Sequence, residues 1–237
     1  IAAHITVGQS MRFANNDDFN QLAEVTFAKS FSNIKPQRGR YIDSGATYST
    51  KHFDTSLSLY LMKITNQIDF DPARSINRNS DPIERKGLEY SILYRPNNKI
   101  STSFNYSLTE ATFDDGSNKG NDIPLVAKHS GSLTAYYNIF KNMNLSATWN
   151  YVGDKFFDND QDNSFFAKIP SHSTVDMKMT YEINNFDIDF SVNNLLNKEY
   201  FEVGTTNSLL FDAAHTRFNA QPMPERNFSF TIRYRFD

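Results

Sequence analysis

The feature that most constrains this chain is a repeated alternation of apolar and polar residues with a period of two. In the segment SLTAYYNIF, Leu133, Ala135, Tyr137 and Ile139 fall on one side, because successive residues of a strand point to opposite faces of its sheet. Such segments predict an all-β fold of about ten strands. Their rough limits are 3–12, 38–49, 53–70, 84–95, 99–112, 128–140, 143–154, 172–183, 186–198 and 226–236.

The connections between these segments alternate between short and long. The short ones, STKH, RPNN, FKNM and INN, are rich in residues that favour tight turns. Short turns at one end of a sheet and long loops at the other are typical of a transmembrane antiparallel β-barrel. The long, polar connections cover about 13–37, 71–83, 113–127, 154–171 and 199–225.

Charges inside the predicted strands indicate what the apolar face touches. Lys178, Asp187, Asp189, Arg233 and Arg235 all fall on the polar face, and a Lys or Arg facing lipid at mid-bilayer costs about 2–4 kcal/mol. Aromatic residues near the strand ends agree with a membrane girdle. We therefore expect lipid on the apolar side, with a soluble β-sheet protein as the alternative. We also expect charge pairs between the two aspartates and the two arginines across adjacent strands.

Composition excludes several other classes. A net charge of -3 argues against a nucleic-acid partner, and zero cysteines exclude disulfides and thiolate metal sites. No apolar run is long enough for a membrane helix. The chain begins at Ile1, so we expect a processed product or one piece of a longer polypeptide.

Five ordered segments, the last of which combines two motifs near the C-terminus, resemble those of TonB-dependent outer-membrane receptors, and we expect their residues to be structural. The family's N-N-L-x-[ND]-K-x-Y pattern and its P-x-R-N-F start of the last strand are matched near the C-terminus, and its N-L-K-P-E, K-G-x-E, H-S-G-S and P-G-Y-x-x-x-D motifs are matched upstream. In the last of these, His172 replaces the usual Tyr. The final strand ends at Phe236, followed by Asp237 where an aromatic residue is usual. The matching residues include Lys35, Pro36, Gly87, His129, Asp176, Asn193, Asn194, Leu195, Lys198, Tyr200, Arg226 and Phe228.

The resemblance implies a barrel of about twenty-two strands filled by an N-terminal plug domain. Residues 1–237 would be the C-terminal portion of that barrel, without the plug, the TonB-contacting box and the first strands. A small barrel closed by these strands alone is the alternative. The implied location is the outer membrane of a Gram-negative bacterium, with the long loops outside.

The function implied by the resemblance is uptake of a scarce ligand, a ferric siderophore or another metal complex, and not catalysis. The implied partners are the TonB–ExbB–ExbD energy system, outer-membrane lipid and lipopolysaccharide, and the rest of the receptor barrel; no cofactor is expected. Haem receptors of this family carry a histidine between two motifs, which Arg12 and Lys35 mark in this sequence. The resemblance therefore disfavours haem, because no histidine lies between these two residues. The alternatives are a passive porin and an omptin-like protease, which would need acids and histidines such as Asp158, Asp160, His172 and His215.

Aromatic and basic residues in the long loops are the candidate ligand contacts, because a large ligand that is often anionic or aromatic needs such a wall. Packing of the loops on themselves is the alternative for each residue. The candidates are Phe156, Phe157, Phe165, Phe166, Phe211, His215 and Arg217.

Two patterns raise the question of a metal. Asp158, Asp160 and Asp162 alternate as in a calcium loop. Asn163 stands where Gly is preferred, and Ile169 stands where a calcium loop has Glu. A solvated acidic loop is therefore the favoured interpretation. His129 and His172 could bind a metal together with His215, although rim histidines without a ligand are more common. We predict no metal site.

Overall fold

The computed structural model describes residues 1–19, 34–71, 76–206 and 217–236. Within these residues the chain forms strands almost throughout, with one short helix. The elements are β1 (Ala2–Arg12), α1 (Asn16–Phe19), β2 (Gln37–Ser49), β3 (Phe53–Thr65), β4 (Ile68–Asp71), β5 (Ile76–Asn79), β6 (Ile83–Tyr94), β7 (Ile100–Phe113), β8 (His129–Phe140), β9 (Met143–Val152), β10 (His172–Ile183), β11 (Phe186–Asn193), β12 (Phe201–Thr206), β13 (Phe218–Pro222) and β14 (Asn227–Tyr234).

Ten of the strands form one antiparallel sheet, as the alternation predicts. Its order is β1-β2-β3-β6-β7-β8-β9-β10-β11-β14. Among the described residues, β1 and β14 are therefore the two edges and do not pair with each other. The alternative of a small barrel closed by these ten strands is wrong for this structure. Short and long connections alternate between the two ends of the sheet, which is confirmed.

Two predicted strands are too long, because asparagine turns end them early. The segment 53–70 breaks at Asn66, whose φ is 56°, and the chain then forms the separate hairpin β4–β5. The segment 186–198 ends at Asn193, because Asn194 and Asn197 have φ of 51° and 52°. The alternation did not predict the hairpins β4–β5 and β12–β13, which lie in the long connections.

The register of the sheet aligns the apolar residues of neighbouring strands on one face. Leu133 of β8 lies opposite Trp149 of β9, which lies opposite Val175 of β10. Large apolar side chains on this face are open, as in Leu59 at 51% and Ile232 at 57% exposed. A large apolar face that stays exposed does not pack on a core of the described residues, and such a face is typical of a contact with lipid or another partner.

Charge pairing on the polar face agrees with the prediction for one of the two aspartates. Asp187 of β11 contacts the Arg235 guanidinium and lies 3.8 Å from Arg233 Nη1. Asp189 instead pairs with the preceding strand β10, where its Oδ2 lies 3.4 Å from Lys178 Nζ. The Asp187 pairs link the end of β14 to the start of β11.

Buried apolar residues are concentrated at the end of the sheet that carries the long connections. One cluster joins Ile64, Ile83, Ala111, Phe113 and Ile123. This end therefore contains a conventional protein core of its own. In the part of the chain that the structure describes, no helix has the length and apolarity needed to cross a membrane.

Candidate functional site

The long connection between β9 and β10 folds around an aromatic core. Phe157 is 1% exposed and Phe165 is 9% exposed, and both pack with the fully buried Ile169. The Phe157 ring lies 4.8 Å from that of Phe218 and 6.1 Å from that of Phe201, so β12 and β13 close over the same core. This arrangement corrects the expectation of ligand contact for Phe157 and Phe165, whose rings are covered by loop packing.

Other candidate ligand residues remain on the surface above this core. Phe166 is 70% exposed although its ring centre lies 4.6 Å from that of buried Phe165. Lys168 places its ammonium 4.2 Å from the centre of the Phe156 ring, and Arg217 is exposed just before β13. Phe156, Phe166, Lys168 and Arg217 are thus aromatic and cationic residues of these loops that are not fully buried. Phe211 and His215 lie outside the described residues.

The acidic segment is not uniformly solvated, contrary to the favoured interpretation. Asp160 is 3% exposed, and its Oδ1 accepts hydrogen bonds from the N–H groups of Ser164 at 2.9 Å and Phe165 at 3.1 Å. Its burial raises the pKa of the Asp160 carboxyl, although these N–H groups oppose that shift. Asn163 adopts a φ of 53°, which asparagine tolerates, so the absence of Gly there does not prevent the turn.

His129 and His172 cannot share a metal, because they lie on opposite faces of the sheet. His129 lies opposite Leu108 on the apolar face, and its Nδ1 is 2.8 Å from the Tyr106 hydroxyl. His172 lies opposite Val152 on the polar face and is stacked on Tyr200, with ring centres 4.4 Å apart. The intervening strand β9 also separates β8 from β10, so the histidines are not on neighbouring strands.

The polar face of the central strands forms a shallow depression of about 460 Å³. Serine and asparagine hydroxyls and amides line it and bond to one another, as in Ser56 Oγ to Ser91 Oγ at 2.8 Å. Glu89 contributes a carboxylate to the same wall. Such a surface can form many individually weak hydrogen bonds to a polar partner or to water.

The motif N-N-L-L-N-K at the end of β11 has a structural role. Asn194 is 4% exposed, its Oδ1 accepts from the Lys198 N–H at 2.8 Å, and its Nδ2 donates to the carbonyls of Lys198 and Pro224. Asn197 Oδ1 accepts the Arg226 N–H at 2.8 Å, and the Arg226 guanidinium donates to the Leu195 carbonyl. Asn193 in turn donates to Asn227 Oδ1 at 2.9 Å. The asparagines therefore join the end of β11 to the start of β14.

The other motif residues also hold backbone in place. The Lys35 N–H donates to Asn79 Oδ1 at 2.7 Å, and Asn66 Nδ2 donates to the Pro36 carbonyl at 3.4 Å. Gly87 lies beneath Tyr60, so a Cβ there would lie 2.7 Å from the Tyr60 hydroxyl oxygen and would collide with a backbone carbonyl of β7. Phe228 on the last strand and Phe236 just beyond its end are exposed apolar residues.

The comparison of sequences identifies a receptor and a transporter among the relatives of this chain. The chain is 25% identical over 177 residues to the metal-pseudopaline receptor CntO of Pseudomonas aeruginosa. The aligned region covers 70% of this chain and 25% of the relative. It is 25% identical over 206 residues to the ferrichrome outer membrane transporter and phage receptor of Escherichia coli, covering 81% and 27% of the two chains. The chain thus spans about a quarter of the length of these relatives.

Solved structures share the fold. The copper transporter OprC superposes with a TM-score of 0.77 at 17% identity, covering 99% of this chain and 37% of that one. The ferric yersiniabactin uptake receptor FyuA of Yersinia pestis gives a TM-score of 0.75 at 16% identity, covering 99% and 35%. The family description "TonB dependent receptor-like, beta-barrel" matches residues 2–195. The chain therefore belongs to the TonB-dependent receptor β-barrel family.

Proposed function

We propose that this chain is the C-terminal part of the barrel of an outer-membrane receptor that takes up a ferric siderophore or a similar metal complex, driven through TonB–ExbB–ExbD. The location follows from the family, whose members are β-barrels of the Gram-negative outer membrane. The family match over residues 2–195 is the observation that carries the proposal. The names of the relatives support the ligand class, because they cite metal-pseudopaline, ferrichrome and ferric yersiniabactin.

The two faces of the sheet suit the two environments of such a receptor. The apolar face, with Leu59 and Leu133 exposed at 51% and 41%, would contact acyl chains. The serine- and asparagine-rich wall around Glu89 would face the plug domain, which requires hydrogen-bonding groups and not an apolar surface. The edge strands β1 and β14 would pair with further strands of the barrel, because an open edge within lipid leaves backbone groups without partners.

A row of charged residues above the apolar belt supports contact with the phosphate groups of lipopolysaccharide. Lys63, Lys86 and Lys128 carry side chains that are 51–58% exposed and lie at the end of the sheet with the long connections. The register puts Lys63 and Lys86 on the apolar face, beyond Leu61 and Leu88. Lys63 Nζ lies 3.0 Å from Glu84 and 3.2 Å from Asp114, and Lys86 and Lys128 both pair with Glu110. These ion pairs hold the ammonium groups near the surface, where a lysine with three donors would also reach a phosphate.

The ligand would bind to the long loops on the surface formed by Phe156, Phe166, Lys168 and Arg217. An aromatic ring and cationic groups side by side suit an anionic metal complex with catecholate or aromatic groups. The buried core of Phe157 and Phe165 beneath them would fix the position of Phe166. The proposed transport does not assign any catalytic role to the loop acids.

Uptake by cells that carry the intact receptor tests the proposal. Ferrichrome, ferric yersiniabactin and metal-pseudopaline, each carrying a labelled metal, would be supplied to a strain with the receptor, a strain without it, and a strain with the receptor but no TonB. We expect uptake of at least one complex only in the first strain. Uptake that persists without TonB, together with stable single-channel conductance of the purified protein, would instead identify a passive porin.

A further inference from the structure

Asp160 presents a buried carboxylate oxygen without a partner. Its Oδ1 is occupied by two backbone N–H groups, whereas Oδ2 is buried and accepts no hydrogen bond from the described residues. A buried charged oxygen without a partner is costly, and native proteins satisfy it with a proton, a water or a cation. The loop is well ordered by its own contacts, including the Asn163 amide bonds to the carbonyls of Asp122 and Asp160, both at 3.0 Å.

The carboxylate of Asp162 converges on the same place. The Ser164 N–H that donates to Asp160 Oδ1 also lies 3.4 Å from Asp162 Oδ1, so the two acids share one donor. Both line a cavity of about 300 Å³. Its other described lining residues are Asn118, Asn159, Gln161, Ser164, Phe165 and Thr206. All of them except Phe165 carry an amide or hydroxyl oxygen, and none is basic.

We propose that this cavity, the Asp160–Asp162 site, binds a calcium ion. Two carboxylates with neutral amide, hydroxyl and water oxygens are the donors that Ca²⁺ accepts, and its irregular coordination suits a roomy loop cavity better than the strict octahedron of Mg²⁺. Asp158 is not part of the site. It lines a different cavity, and its Oδ1 accepts the Asn159 N–H at 3.0 Å. The site therefore differs from an EF-hand loop despite the alternating acids.

The number of charges sets the expected affinity. Only two carboxylates reach the cavity among the described residues, so we expect a dissociation constant of about 10⁻⁴–10⁻³ M, the range of extracellular calcium modules. Binding would join the β9–β10 connection to Thr206 at the end of β12, and so would brace the loop that carries Phe166. The site does not depend on which complex the receptor transports.

Calorimetric titration of Ca²⁺ into the intact receptor, purified in detergent and freed of metal with a chelator, tests the proposal. We expect saturable binding that weakens by about tenfold or more in Asp162→Asn and in Asp160→Asn, because each change removes a ligand charge. Asp115→Asn, an exposed acid in the neighbouring β7–β8 connection, is the matched control and should bind Ca²⁺ like the wild type.

Two results would overturn the calcium site. One is the absence of saturable binding up to about 10 mM Ca²⁺, well above the expected range; the other is unchanged affinity in Asp162→Asn. Asp162 is exposed, so its change should leave folding intact, and heat-dependent gel mobility of the barrel checks this for both variants. Uptake of metal complexes is measured separately, so failure of the calcium site leaves the transport proposal standing.

Discussion

Replacing Asn194 with alanine should destabilise the barrel at the junction of β11 and β14. The substitution removes three side-chain hydrogen bonds, to the Lys198 N–H, the Lys198 carbonyl and the Pro224 carbonyl. At about 1 kcal/mol each these contribute about 3 kcal/mol. Alanine at a φ of 51° costs about 1 kcal/mol more than asparagine. We therefore expect the free energy of unfolding to fall by about 4 kcal/mol.

Two matched variants separate these causes. Asn194→Gly loses the same hydrogen bonds but adopts the left-handed conformation freely, so it should lose about 3 kcal/mol. Asn193→Ala removes one hydrogen bond at an exposed position, to Asn227 Oδ1, and should lose about 1 kcal/mol or less.

Urea titration of the intact receptor in detergent, followed by heat-dependent gel mobility, measures the differences in stability. The slope of the free energy against urea should stay the same in all three variants. If Asn194→Ala lies within about 0.5 kcal/mol of the wild type, the hydrogen bonds of Asn194 do not stabilise this junction and the reasoning fails.

Three further substitutions, two of them with a matched control, test the faces of the sheet and the loop core. Leu59→Lys at the middle of β3 should cost about 2–4 kcal/mol of stability and lower the amount of folded receptor in membranes. The control Ser58→Lys, on the polar face, should cost little. Equal effects of the two changes would contradict the assignment of the apolar face to lipid. Gly87→Ala should impair assembly, measured by heat-dependent mobility, because its Cβ would collide with the adjacent strand; normal assembly would contradict this. Phe157→Ala should cost about 3–5 kcal/mol of loop stability, which faster proteolysis of the loops on intact cells would reveal. Phe166→Ala should leave proteolysis unchanged but weaken uptake of the metal complex.

The ten long strands could be predicted from the sequence because their signal is local. Each strand that spans a membrane must keep one face apolar and the other polar along the part that lies in lipid, so the period of two is unbroken in residues such as 145–151 and 175–181. The motif at Asn194 also carries its structural meaning locally, since the side chain bonds to the backbone four residues later.

The loop structure could not be predicted in this way. The strands of the hairpins β4–β5 and β12–β13 are four to six residues long, too short for alternation to distinguish them from irregular chain. The burial of Phe157 depends on Phe201 and Phe218, which are distant in sequence. The same packing buries Asp160. Composition alone had indicated a solvated acidic segment at this position.

Aromatic residues in the long loops are weak indicators of ligand binding, because the loops need them for their own packing. The strands are stabilised by lipid on one side, but a loop that extends beyond the membrane has only water around it and must bury apolar groups of its own to be ordered. Aromatic richness in such a loop is therefore expected with or without a ligand. The informative residues are those left exposed beside a buried partner, as Phe166 is beside Phe165, because a ring held in place in water loses little entropy when a ligand covers it.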